Sequence, residues 1–162
     1  MLGAVAALTF SVLTAAPALA DESSEVLREL PIPAGTEIIE GTPVPPGTEP
    51  PQAGLSKAAP TGCLGPTAAY GVQGCFQHYG DTTWSGDTKS DGMSAAVGVF
   101  TNYGRASFVC LDTQGVNTWA TCKKDYWEDG DVRLQVLRYD GDTGKFYEPE
   151  NWSGWIPVDG QY

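Results

Sequence analysis

Between Asp131 and Tyr139 the chain alternates: Val132, Leu134 and Val136 share one parity, Arg133 and Gln135 the other. A period of two marks a strand with one face buried. Ser94 to Phe100 and Ala106 to Leu111 are shorter runs of small, β-branched and aromatic residues, and predict further strands. Asp91-Gly92, Tyr103-Gly104, Asp129-Gly130 and Asp140-Gly141 punctuate these runs as turns. Asp140 to Lys145 (DGDTGK) reads as a hairpin loop that pairs Val132–Tyr139 with Lys145–Tyr147. No segment beyond residue 61 carries a helical period. Short strands at intervals of about 8 to 12 residues predict an all-β domain, an antiparallel sandwich or small barrel.

The N-terminal third has a different pattern. Residues 1–20 carry no charge, and their apolar run ends in Pro17 and Ala18-Leu19-Ala20, the small-x-small pattern of a cleaved signal peptide. Residues 21–60 contain no aromatic residue, seven acidic and two basic side chains, and eight prolines between Pro31 and Pro60. Ser24 to Leu30 fits a short helix with Ser24 as its N-cap. Beyond it Gly-Thr recurs at Gly35-Thr36, Gly41-Thr42 and Gly47-Thr48. Prolines hold such a chain extended and its apolar content builds no core of its own, which predicts a disordered, acidic, proline-rich tether. The chain thus divides into a signal peptide (1–20), a Pro/Gly-rich linker (21–60) and a β domain (61–162).

Charge narrows the partners. Twenty acidic against nine basic side chains give a net charge of −11, which disfavours nucleic acid and an anionic membrane surface. A monomer is expected. The four cysteines, Cys63, Cys75, Cys110 and Cys122, are too far apart for a zinc site and, behind an export signal, predict disulfides. Equal spacing favours the local pairs Cys63–Cys75 and Cys110–Cys122, each across a hairpin; Cys75–Cys110 is the rival.

Candidate chemistry is sparse. Asp81, Asp87 and Asp91, then Asp125, Glu128, Asp129 and Asp131, then Asp140 and Asp142, form acidic clusters of the kind that can hold calcium, but none follows the EF-hand spacing. Asp-Gly turns produce such clusters unaided, so neither a metal nor another cofactor is assigned. Asp87, Lys89 and Asp91 at period two read as a charge ladder on an exposed strand. His78 with Ser85, Ser94, Ser107 or Ser153 lacks a nucleophile elbow, and Glu128, Glu148 and Glu150 lack an evident sugar-binding cleft. No catalytic residue is assigned.

Aromatics are the stronger signal. Five tryptophans fall after Tyr70. Trp84 and Trp119 are assigned to the core, while Tyr126, Trp127, Trp152 and Trp155 are the candidate ligand-binding residues, since exposed rings on a rigid sheet stack on sugars or fill partner pockets. The pattern Cys75-Phe, Gly80-Asp81-x-x-Trp84, Asp87-x-Lys89-x-Asp91-Gly92-x-Ser94-Ala95, Cys110 and Thr118-Trp119-x-x-Cys122 resembles a family of small secreted actinobacterial proteins over residues 75–140. Relatives often carry a further cysteine where this chain has Leu137-Arg138. The resemblance implies secretion and carries no activity with it. The expected function is a secreted, non-catalytic binding module that contacts extracellular glycan, wall material or a protein; the alternative is a small secreted inhibitor or toxin-like effector.

Overall fold

The computed structural model describes residues 27–51 and 62–162, so the predicted signal peptide lies outside the described residues. Ten strands and no helix make up the described chain: β1 Glu37–Glu40, β2 Thr42–Pro43, β3 Cys63–Ala69, β4 Val72–Gln77, β5 Thr82–Asp87, β6 Ser94–Thr101, β7 Phe108–Asp112, β8 Thr118–Lys123, β9 Asp131–Asp140 and β10 Lys145–Pro157. They form two five-stranded sheets, ordered β1-β7-β6-β9-β10 and β2-β8-β5-β4-β3. All pairings are antiparallel except β1 with β7. The fold is a sandwich.

The alternation in β9 does what it predicts. Val132, Leu134 and Val136 enter the core between the sheets, with Val97, Val99 and Phe108 from the first sheet and Leu64, Val72 and Phe76 from the second. The hairpin closes in the expected register, Asp140 opposite Lys145. Its loop is held by the Asp140 carboxylate, which accepts from Asp142 N–H at 2.9 Å and Thr143 Oγ1 at 2.9 Å.

Both local disulfides are present, but they do different jobs. Cys63–Cys75 joins β3 to β4 within one sheet, as a hairpin bridge would. Cys110–Cys122 joins β7 to β8, which lie in opposite sheets, so it staples the sandwich together rather than crossing a hairpin. Closing loops of this length stabilises by about 3 kcal/mol each in the chain-entropy model.

Part of the segment expected to be a tether is docked on the domain. It is extended, as its prolines require, and no helix forms over residues 27–30; the earlier part of the predicted helix lies outside the described residues. Glu29 bridges to Tyr147, and Leu30 N–H donates to Phe146 O at 2.7 Å. Leu30 and Ile32 cover an apolar patch of Ala96, Val109, Leu111, Leu137 and Phe146 on the outer face of the first sheet. The segment then lends β1 to the first sheet and β2 to the second. Gly41 sits at the crossover beside the inter-sheet disulfide, where a Cβ would come within 2.7 Å of Ala120 Cβ.

The Gly-Thr repeat has a physical meaning in this setting. Thr36 N–H donates to Pro33 O and Thr48 N–H to Pro45 O, with Gly35 and Gly47 at φ of 82° and 80°. Both are type II turns, whose third position requires positive φ. The middle copy is extended and supplies the crossover instead.

Candidate functional site

The outer face of the first sheet is covered by Leu30 and Ile32 only toward one end. Toward the other it presents Phe100 from β6, Arg133 and Gln135 from β9, and Trp152 and Trp155 from β10. The register places Phe100 opposite Arg133, Arg133 opposite Trp155, and Gln135 opposite Trp152. Directly paired residues share a face, so these side chains form one surface.

Trp152 is half-buried there. Its ring meets Phe100 at 5.0 Å between centroids, the Arg133 guanidinium lies 4.5 Å over it, and its Nε1–H donates to Glu150 Oε2 at 3.1 Å. Gln135 donates to the same Glu150 oxygen. Arg133 also donates through Nε to Ser153 O at 3.2 Å. Trp155 is 48 % exposed, so its ring remains available. Along β9 their partners are two residues apart, which separates the indoles by roughly 7 Å along the strand.

Trp127 lies beyond the same end of the sheet. It is 66 % exposed and stacks on Tyr103 at 4.6 Å with an interplanar angle of 14°. Its backbone N–H donates to the Tyr103 hydroxyl at 3.2 Å, which ties ring to loop. Gly130 N–H closes the turn onto Trp127 O, and Val158 N–H reaches Gly130 O, so this turn abuts the end of β10.

Tyr126 does not belong to the exposed set. It is 5 % exposed and lies in the core, edge-on to Phe76 at 5.8 Å and beside Phe108 at 6.4 Å. Adjacent residues of an extended loop point opposite ways, so exposing Trp127 turns Tyr126 inward. Burial pushes its hydroxyl above the ordinary phenol range, and that oxygen has no hydrogen-bond partner. Asp81 accepts from Tyr126 N–H at 2.9 Å and anchors the loop; desolvation raises the Asp81 pKa, against that hydrogen bond.

Trp84 and Trp119 are structural, though not between the sheets. They pack edge-to-face at 6.2 Å on the outer side of the second sheet, against the Cys63–Cys75 bridge and Val44 of the docked N-terminal segment. Gln77 Oε1 accepts the Trp84 Nε1–H at 3.0 Å.

Several of the acidic side chains are engaged in separate local hydrogen bonds. Asp87 and Asp91 accept from Lys89 and Met93 N–H at 2.9 and 3.0 Å, and Asp131 accepts from Asn102 Nδ2 at 2.7 Å. Asp91 also pairs with buried Arg138 at 3.3 Å. The charge ladder expected on an exposed strand is absent: β5 ends at Asp87, which is buried, and Lys89 and Asp91 lie in the following loop. Burial raises the Asp87 pKa, with Asp91 and Asp112 adding to the effect and the Lys89 N–H opposing it. Among the described residues no three His, Cys, Asp or Glu side chains gather as a metal site.

The groups weighed for catalysis are dispersed. His78 lies in the turn between β4 and β5 under Gly160, its Nδ1 unpartnered. The Ser85 hydroxyl is buried without a partner, and the Ser153 hydroxyl is committed to the backbone, accepting from Leu134 N–H of β9 and donating to Gly154 O. Glu148 pairs with Arg28, which holds its carboxyl below the usual range. Glu148 and Glu150 line a groove of about 600 Å³ with Tyr70, Asp91 and Arg138, next to the Trp152 surface. Among the described residues no helix is long and apolar enough to cross a membrane. The chain matches no family model, no curated protein and no solved structure.

Proposed function

We propose that this chain is a secreted, non-catalytic module that binds an extracellular polysaccharide on the aromatic face of its first sheet. The observation that carries this reading is the pair Trp152 and Trp155, which share one rigid outer face with Arg133 between them. Indole faces offer apolar area at low entropic cost, which suits the C–H faces of pyranose rings. Glu150 beside them carries a carboxylate that can accept from hydroxyl groups, and Gln135 beneath steadies it. Trp127, fixed on Tyr103, extends the surface.

A net charge of −11 repels polyanions, so the ligand class is an uncharged polysaccharide. Two disulfides fit an oxidising compartment. The leader-like residues 1–20 and the resemblance to small secreted actinobacterial proteins support export as the route.

The test is co-sedimentation of the purified chain with insoluble chitin, cellulose and wall polysaccharide. Saturable binding that changes little with salt is expected, and calcium should leave it unchanged. Trp155→Ala should weaken it at least about tenfold, as loss of a central aromatic anchor does. Absence of binding to all three would reject the glycan reading and turn the same face to a protein target, as in an inhibitor.

A further inference from the structure

Trp152 and Trp155 are three residues apart, an odd spacing that puts side chains on opposite faces of a regular strand. They share a face because β10 bulges between them. Two residues, Ser153 and Gly154, stand opposite the single residue Leu134, and the register shifts there. A bulge leaves one ladder group without its partner. Here Leu134 N–H donates instead to the Ser153 hydroxyl at 2.8 Å, and that hydroxyl donates to Gly154 O at 2.6 Å. Ser153 is buried, so water does not substitute for it. The bulge also turns Ser153 O outward, where Arg133 donates to it while stacking over Trp152.

We infer that Ser153 is a positioning residue, whose hydroxyl stands in for a backbone acceptor and so holds Trp152 and Trp155 side by side. The inference rests on the glycan reading for its purpose, but not for its geometry. Alanine at 153 leaves a buried amide unpaired, which favours pulling the strand back into regular register and turning Trp155 away. Deleting Gly154 removes the need for the hydroxyl. The spacing from 152 to 155 becomes even, both rings keep the same face, and Ser153 meets Leu134 through its backbone. Gly154 is exposed and nothing packs on the side where a Cβ would lie, so the deletion empties no buried position.

The experiment is a double-mutant cycle of Ser153→Ala and deletion of Gly154 in the full chain. Its readouts are hydrogen exchange of the Leu134 amide and binding to the polysaccharide that the unsubstituted chain retains. Ser153→Ala alone should abolish protection at Leu134 and weaken binding about tenfold, the equivalent of one orphaned buried donor. In the shortened chain the same substitution should change neither. Ser153→Thr, which keeps the hydroxyl, should retain protection at Leu134 and covers the case in which the alanine variant does not fold. Unchanged protection in Ser153→Ala, or equal damage in both backgrounds, would overturn the inference. Should the parent chain bind no polysaccharide, the glycan reading fails, and exchange at Leu134 still decides the role of Ser153.

Discussion

The two outer faces of the sandwich each carry a pair of tryptophans, and the pairs have opposite fates. On the second sheet Trp84 and Trp119 lie edge-to-face under Val44, and Trp84 is 9 % exposed. On the first sheet Trp152 is held by Arg133 and Phe100, and Trp155 stays open. Residue type does not separate the pairs. What separates them is the N-terminal segment, which covers the second sheet at Val44 and the first only as far as Leu30 and Ile32. Exposure of an aromatic at this fold's surface is therefore set by where an extended strap runs.

The largest effect that tests this contrast is Trp84→Ala. It empties a packed site and unpairs Gln77, and should cost about 3–5 kcal/mol in denaturant unfolding. A loss below about 1 kcal/mol would mean that the Trp84–Trp119 face is no more structural than the other. Leu30→Ala comes next. Leu30 sits at the margin of the molecule, so a loss of about 2 kcal/mol is expected, the low end for a buried leucine. An unchanged midpoint would show that the strap does not hold the first sheet.

How much of this was readable in the chain depends on where each strand finds its partners. β9 was legible because its own alternation, Val132, Leu134 and Val136, reports the buried face. β5 was not: its residues Thr83, Ser85 and Asp87 are buried although polar, so no apolar alternation marks them. The strap's few apolar residues build no core alone, so its sequence implies a free segment. Leu30 packs against Ala96, Val109, Leu111, Leu137 and Phe146, and Ile39 pairs with Cys110, all 66 positions or more further on, which a local window does not see. Equal spacing favours the two disulfides that form over Cys75–Cys110 without excluding it, and the sheet-to-sheet role of Cys110–Cys122 is visible only in the topology. Trp127, Trp152 and Trp155 were recognisable as candidates by type. That Trp152 and Trp155 share a face depends on a bulge, and nothing in Asn151-Trp-Ser-Gly-Trp155 announces one.

Asp87 sharpens the comparison at the interior end of the second sheet. Its pKa is raised by burial, so the folded chain takes up a proton at a higher pH than the unfolded one. Stability contributed by this group therefore rises as pH falls from neutral toward about 4, the unfolded value, and is lower on the alkaline side. Asp81 acts in the same direction, while exposed Asp140 and Glu148, with lowered values, act against it. Asp87→Asn keeps an acceptor for Lys89 N–H and removes the charge facing Asp112. Its melting temperature at pH 7 should exceed that of the parent, and the difference should shrink on acidification. A melting temperature below the parent's at pH 7 would show that the ionised carboxylate is needed where it lies.

Trp155→Ala should have the smallest effect on stability. The ring is about half exposed and opposite Arg133, whose guanidinium is already engaged by Trp152 and Ser153 O. Truncating it removes little buried area and leaves no polar group unpaired, so unfolding should shift by about 0.5 kcal/mol or less. The same substitution removes the most accessible indole of the pair and should weaken polysaccharide binding at least about tenfold. That split between stability and binding distinguishes a ring kept for a ligand from one kept for the fold. Were Trp155→Ala instead to cost as much stability as Trp84→Ala, the two faces would be equivalent. The open indole would then be part of the scaffold, and the case for a ligand on the first sheet would fall to Trp127 alone.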